Sequence, residues 1–169
     1  MSILDQPEYV HVFLHSLPIL GLAVAVVALV LGLIFKGQGS VTIGLLLIAL
    51  TSGSAYFVYE SGEGAEHRLE DALDKESRAW LKEHESRAEV PIYLYYVTAF
   101  VAVVAMVMRP IVPGFARGAT WATLALACLS IAGGAWIGYA GGRIRHPELR
   151  DGPAPLQPPS ESTGHTEQI

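Results

Sequence analysis

The main pattern along this chain is a series of four long apolar stretches separated by short polar segments. The stretches cover about residues 10–35, 41–59, 91–108 and 119–142, and each is almost free of charge. A helix of about 20 apolar residues crosses the hydrocarbon core of a bilayer, which is roughly 30 Å thick. The pattern therefore predicts an all-α fold, in which residues 1–146 form a bundle of four transmembrane helices.

A charged segment between the second and third stretches also has helical periodicity. At about 100° per residue, its apolar side chains fall on one stripe, which also carries a histidine. The members of this stripe are Leu69, Leu73, Trp80 and His84. The pattern predicts an amphipathic helix over about residues 65–89, which lies at the membrane interface or folds back over the mouth of the bundle.

Composition narrows the class of protein further. The chain has 169 residues, of which 51% are hydrophobic and 16% charged, as expected for a small helical membrane protein. It contains no basic patch suited to nucleic acid, and its single cysteine, Cys128, cannot form an internal disulfide. Residues 147–169 are rich in proline and polar side chains, and we expect them to be disordered.

All six histidines lie on one side of the predicted membrane. Four crossings bring the N-terminus, the charged segment and the tail to this side, which we call the histidine face. The turns 36–40 and 109–117 form the other side, which we call the basic face. Eight Lys and Arg residues on the histidine face against three on the basic face predict a cytoplasmic histidine face. The turns of the basic face contain no acid, so the opposite orientation stays open.

Histidines and glutamates near the span ends could converge on one site. His11 and His15 are four residues apart and share a face of the first helix, Glu63 and Glu66 follow the second span, and His84 precedes the third. Three imidazoles with one or two carboxylates suit zinc, iron or manganese. The Glu-x-x-His pairs of di-iron bundles are missing, which favours a mononuclear or irregular site.

The same histidines also allow a b-type haem. Two imidazoles from different helices can ligate haem iron axially, and His84 with either His11 or His15 is the best pair. The second, third and fourth spans carry no histidine within the membrane. A haem would therefore lie at the rim of the bundle.

Three short motifs suggest a relationship. The first span opens with HVFLHSLPILG at residues 11–21, the second ends with SGEGAE at residues 61–66, and His84-Glu85 precedes the third. These motifs resemble His-x-x-x-Asn-His-Phe-Pro-Ile-x-Gly, Thr-Gly-Glu-x-Ala-Glu and His-Glu of an uncharacterised family of bacterial four-span membrane proteins. The resemblance covers about residues 8–108.

The resemblance supports some candidate ligands more than others. It matches His11, Glu63, Glu66 and His84 to family positions. The second histidine of the family, however, falls at Ser16, and its asparagine falls at His15. A shift of one position rotates a side chain by about 100° around the helix. Relatives of this kind accompany redox proteins, so the resemblance also implies electron transfer.

Two functions are predicted. The first is a subunit of the bacterial cytoplasmic membrane that binds a transition metal or b-type haem and serves electron transfer, or anchors a redox complex. The alternative is a cofactor-free structural subunit, whose glycine ridge of Gly134, Gly138 and Gly142 packs within the bundle or against a second copy. No nucleophile–base pair or phosphate loop indicates an enzyme, and no ionisable residue in the middle of a span indicates a transporter.

Overall fold

The computed structural model describes residues 6–69, 73–153 and 155, with side chains for all of these except residues 67–69. The helices are α1 (Pro7–Leu14), α2 (Leu22–Ile34), α3 (Gln38–Gly53), α4 (Ala55–Leu69), α5 (Lys75–Ala88), α6 (Pro91–Met108) and α7 (Pro113–Arg145). A π-helical turn at Leu17–Gly21 joins α1 to α2, and a 3-10 helix at Pro147–Leu149 follows α7.

Four helical spans are long and apolar enough to cross a membrane. They are Pro7–Ile34, Gln38–Glu66, Lys75–Met108 and Pro113–Arg145. Their 28 to 34 residues correspond to about 42–51 Å of helix, which exceeds a hydrocarbon core of roughly 30 Å. The predicted all-α bundle of four membrane-spanning helices is confirmed, and its helices extend beyond the apolar stretches, mainly on the histidine face.

The core of the bundle relies on small residues where helices meet. Gly44 of α3 faces Leu29 of α2 so closely that an added Cβ would lie 2.6 Å from the Leu29 Cα atom. An added Cβ at Gly32 would lie 2.9 Å from the backbone of Val41. Such close backbone approach is how helices pack when lipid offers no hydrophobic gain for association. Many outward-facing apolar side chains, such as Phe100, are exposed and suited to lipid contact.

In three of the four spans the α-helix is interrupted near the histidine face. The first contains the π-helical turn with Pro18, whose ring cannot donate a backbone hydrogen bond. The second is interrupted at Ser54, where the hydroxyl donates to the Thr51 carbonyl over 2.7 Å. The third is interrupted just before Pro91. Only α7 runs through without a break, over 33 residues.

The segment between the second and third spans differs from the predicted single helix over about residues 65–89. Its first part belongs to α4, which continues the second span and packs against α1. Its last part is α5, which packs against α7 and leads into α6. Asp74 begins α5 by accepting a hydrogen bond from the Ser77 amide over 2.8 Å. The two helices thus continue the second and third spans.

The first residues of the tail, for which the sequence predicts disorder, hold α5 and α7 together. Arg150 donates hydrogen bonds to the carbonyls of Arg143 and Ile144 and to the Ser77 hydroxyl. The Arg143 guanidinium lies over the ring of Trp80, with 4.8 Å between its central carbon and the ring centroid. Residues 154 and 156–169 lie outside the described residues.

The glycine ridge of α7 is partly covered within the chain. The Tyr95 hydroxyl occupies the space that a Cβ at Gly134 would need, and an added Cβ at Gly142 would lie 3.3 Å from Leu149. Gly138 is exposed. These contacts favour packing inside the bundle, and a homodimer through the ridge stays a prediction.

Candidate functional site

His11 is held by the helix that packs against it. Its Nδ1 donates to the Val58 carbonyl oxygen of α4 over 2.9 Å, because a carbonyl can only accept. Beside this bond lies Gly62, where an added Cβ would sit 3.2 Å from both Nδ1 and Cε1 of the ring. The absence of a side chain at Gly62 therefore leaves room for the imidazole of His11 against α4.

His84 is held in the same way by a different helix pair. Its Nδ1 donates to the Ile137 carbonyl oxygen of α7 over 3.0 Å. An added Cβ at Gly141 would lie 3.0 Å from Nδ1 and Cε1 of this ring. The two histidines thus share one arrangement: a carbonyl takes the Nδ1 proton, and a glycine one turn further along the same helix makes room for the ring.

The two imidazoles meet between the two helix pairs. Their ring centroids are 6.4 Å apart, and the ring planes are at 88° to each other. Among the described helices, α1 packs with α4 and α5 packs with α7, whereas backbone contact between the two pairs is slight. With the proton on Nδ1, each ring keeps its Nε2 lone pair for a ligand.

His15 occupies a different environment. It is exposed, and its Nδ1 donates to the Val12 carbonyl of its own helix. Its ring lies nearly parallel to that of His11, at 16° and with 6.4 Å between centroids. His15 therefore lies beside the His11–His84 pair, and its hydrogen bond is to its own helix.

The predicted glutamate ligands do not join the histidines. Gly62 and Gly64 leave α4 unbroken, and α4 turns Gly62 toward α1. Glu63, one residue on, is about 100° away around the helix and is exposed, while Glu66 is partly buried. Within the described residues, no three His, Cys, Asp or Glu side chains form a group that could hold a metal ion.

The other histidines are peripheral or lie outside the description. His146 is exposed, and its Nδ1 is 2.9 Å from a carboxylate oxygen of Glu148. The side chain of His67 and the whole of His165 lie outside the described residues.

Several contributors to the site have only a faint signal in the sequence. Gly62 and Gly141 look like ordinary helical glycines, and the carbonyls of Val58 and Ile137 carry no side-chain signal at all. Trp80, one turn before His84, is only 4% exposed, and its Nε1 donor has no acceptor among the described residues. A buried donor of this kind is a candidate partner for an anionic group beside His84.

The fold and the paired imidazoles define a four-span helical membrane protein with a two-histidine site at one end. Comparisons of the chain with models of known protein families, with curated proteins and with solved structures found no match. Support for a function therefore comes from the geometry of the site.

Proposed function

We propose that this chain binds a b-type haem between His11 and His84 and serves electron transfer at the histidine face. The observation that carries the proposal is the spacing of the two rings. Two ring nitrogens about 2 Å from one iron, each about 1 Å from its ring centre, would put the centroids about 6 Å apart. The observed separation is 6.4 Å, between rings from two separate helix pairs.

The number of ligands favours haem over a bare ion. A porphyrin supplies four nitrogens, so the protein needs to add only two axial ligands. A zinc or iron ion without a porphyrin takes four or more ligands, mostly from side chains. His11 and His84 supply two, and within the described residues no third ligand completes a group. A metal ion bound with help from His15, Glu63 or Glu66 is the alternative that the experiment must separate.

The surroundings of the two rings suit axial ligands. Hydrogen bonds from Nδ1 to the carbonyls of Val58 and Ile137 fix the tautomer and the ring orientation, as is usual for metal-bound histidine. The Trp80 Nε1 donor, further from the membrane centre than His84, is suited to a haem propionate. A bound haem would supply one-electron chemistry, and the chain would set ring orientation and limit access of water.

Location and partners complete the proposal. The resemblance of residues 8–108 to bacterial four-span proteins supports the bacterial cytoplasmic membrane. The excess of Lys and Arg on the histidine face supports a cytoplasmic orientation for that face. The partner is then a redox protein that approaches the histidine face.

An absorption spectrum with elemental analysis tests the proposal. Protein purified after expression with added haem precursor should show a Soret band and one haem per chain. His11→Ala and His84→Ala should each lose the stoichiometric haem, whereas His15→Ala and His146→Ala should keep it. In His84→Gly, added imidazole should restore the band. The near-perpendicular rings should give the oxidised protein a strongly anisotropic low-spin electron paramagnetic resonance signal.

The opposite results assign other functions. Absence of a Soret band, or an equal band in all four alanine variants, contradicts the haem proposal. A stoichiometric metal without haem that is lost in His11→Ala, His15→Ala and Glu66→Gln supports the metal site. Neither haem nor metal, with a membrane complex that survives loss of His11 and His84, supports the cofactor-free subunit.

A further inference from the structure

The basic face of the bundle carries three cations around one cavity. Lys36, Arg109 and Arg117 line a cavity of about 400 Å³, where the ends of α2 and α6 meet the starts of α3 and α7. All 16 acidic residues of the sequence belong to the histidine face, so the two turns here contain none. Among the described residues, none of the three cations forms an ion pair, and Arg109 donates only to Gln38 Oε1, over 3.3 Å.

Lys36, which lines this cavity, has an unusual backbone conformation. Lys36 has φ 53°, the left-handed conformation that usually belongs to glycine at the end of a helix. The following amide, of Gly37, donates to the Gly32 carbonyl over 3.2 Å and so closes the end of α2. Because a non-glycine residue is uncommon in this conformation, Lys36 is a candidate for a functional role.

Two helices begin at the same cavity without side-chain caps. Gly37 precedes α3 and Val112 precedes α7, and neither supplies a side-chain acceptor for the first amides of its helix. The first amides of a helix carry a partial positive charge and attract anions. These amides add to the three cations, so the cavity as a whole suits a phosphate.

The surroundings favour a lipid as the source of that phosphate. Phe35, Ile111 and Phe115, which lie within two residues of the lining residues in the sequence, are 77%, 64% and 56% exposed, as expected for side chains that enter a bilayer. The walls include the apolar side chains of Leu33 and Val41. A dissolved anion would use only the cations, whereas a phospholipid would use the cations and the apolar surroundings together.

We propose that the basic face binds the headgroup phosphate of an anionic phospholipid through Lys36, Arg109 and Arg117. The site is independent of the two-histidine site at the other end of the bundle. It would anchor this end of the protein in a leaflet that contains anionic lipid.

Lipid occupancy in nanodiscs tests this proposal. Native mass spectrometry would compare retention of phosphatidylglycerol with that of phosphatidylcholine. Removing one cation should weaken phosphatidylglycerol binding about fivefold, and Lys36→Gln/Arg109→Gln/Arg117→Gln together about a hundredfold. The matched control, Lys75→Gln/Lys82→Gln/Arg145→Gln, removes the same charge from exposed residues of the histidine face and should change binding less than twofold.

Three outcomes would overturn the lipid site. The first is equal retention of the two lipids by the unaltered protein. The second is an equal loss in the control variant, which would indicate a general charge effect. The third is complete displacement of the lipid by millimolar glycerol phosphate, which would assign a dissolved anion. If the triple variant does not fold, Arg117→Gln alone, at an exposed position, should still show the fivefold loss.

Discussion

The two ends of the bundle use glycine for different purposes. Towards the basic face, Gly32 and Gly44 let the backbones of α2 and α3 come into contact. Towards the histidine face, Gly62 and Gly141 each accommodate an imidazole ring. At one end the missing Cβ lets two helix backbones pack together, and at the other end it makes room for a histidine ring.

The largest effect should come from the contact between α2 and α3. Gly44→Ala would place a Cβ 2.6 Å from the Leu29 Cα atom, and two helix backbones cannot yield as a side chain would. We expect a loss of about 1–3 kcal/mol in unfolding free energy, as in overpacked cores. Reversible unfolding in mixed micelles measures it. Gly53→Ala is the control, because its added Cβ meets no atom within 4 Å.

An unchanged unfolding free energy in Gly44→Ala would contradict close packing of α2 against α3. The control itself should be neutral or slightly more stable, since alanine favours helix over glycine by up to about 1 kcal/mol.

A smaller and more local effect is expected at the histidine end. Gly141→Ala and Gly62→Ala would press on the rings of His84 and His11, which can shift. We expect haem affinity to fall about tenfold, with Gly141→Ala the more severe because its contact is shorter, and unfolding free energy to change little. Haem titration measures the affinity.

Gly138→Ala is the matched control on the same helix, because the nearest atom to its added Cβ is 3.9 Å away. Equal haem affinity in Gly138→Ala and Gly141→Ala would mean that the glycine beside His84 does not position the ring. If Gly141→Ala or Gly62→Ala lost as much unfolding free energy as Gly44→Ala, the helices at the two ends would be packed equally closely.

The smallest expected effect is a pH-dependent loss of stability at the start of α5. Hydrogen bonds from the Ser77 amide and hydroxyl hold the pKa of the Asp74 carboxyl below its usual range. A lowered folded-state pKa stabilises α5 above the unfolded value of about 4, and this contribution is lost as pH falls further. Amide exchange near Ser77, corrected for its intrinsic pH dependence, should therefore accelerate below about pH 4.

Asp74→Asn keeps a good cap that does not titrate, so it should remove the acceleration. The start of α3, which follows Gly37, should show no such response either. Acceleration that persists in Asp74→Asn would assign the pH dependence to other groups.

The sequence was sufficient for the spans but not for their extensions. Long uncharged stretches can only be buried in lipid or protein, so the four crossings are visible directly. Charged residues such as Glu63 hide the continuation of α4, because hydropathy falls where a helix leaves the membrane. Between α4 and α5, the regular spacing of apolar residues predicted one continuous helix. The structure begins a new helix after Asp74, which is a recognisable helix cap.

The difference between His11 and His15 is also visible only in the three-dimensional structure. The two histidines share one helix face in the sequence, and their difference lies in the carbonyl of Val58, which no sequence pattern reports. The π-helical turn at Leu17–Gly21 changes the helical register between these histidines and the rest of the first span, and the apolar pattern of the sequence does not show this change. Glu63 is separate from the histidines because α4 turns Gly62, and not Glu63, toward His11 of α1.

The length of the unbroken α7 bears on the proposed electron transfer, because this helix separates the two faces of the bundle. About 20 residues separate Arg117 from Ile137, which corresponds to roughly 30 Å along a straight helix, the thickness of the hydrocarbon core. If the proposed haem is bound at His84, it would lie close to one surface, and no described histidine lies between it and the other surface. A route across the membrane would need another cofactor-bearing subunit, and the chain by itself would exchange electrons with donors and acceptors on the same side.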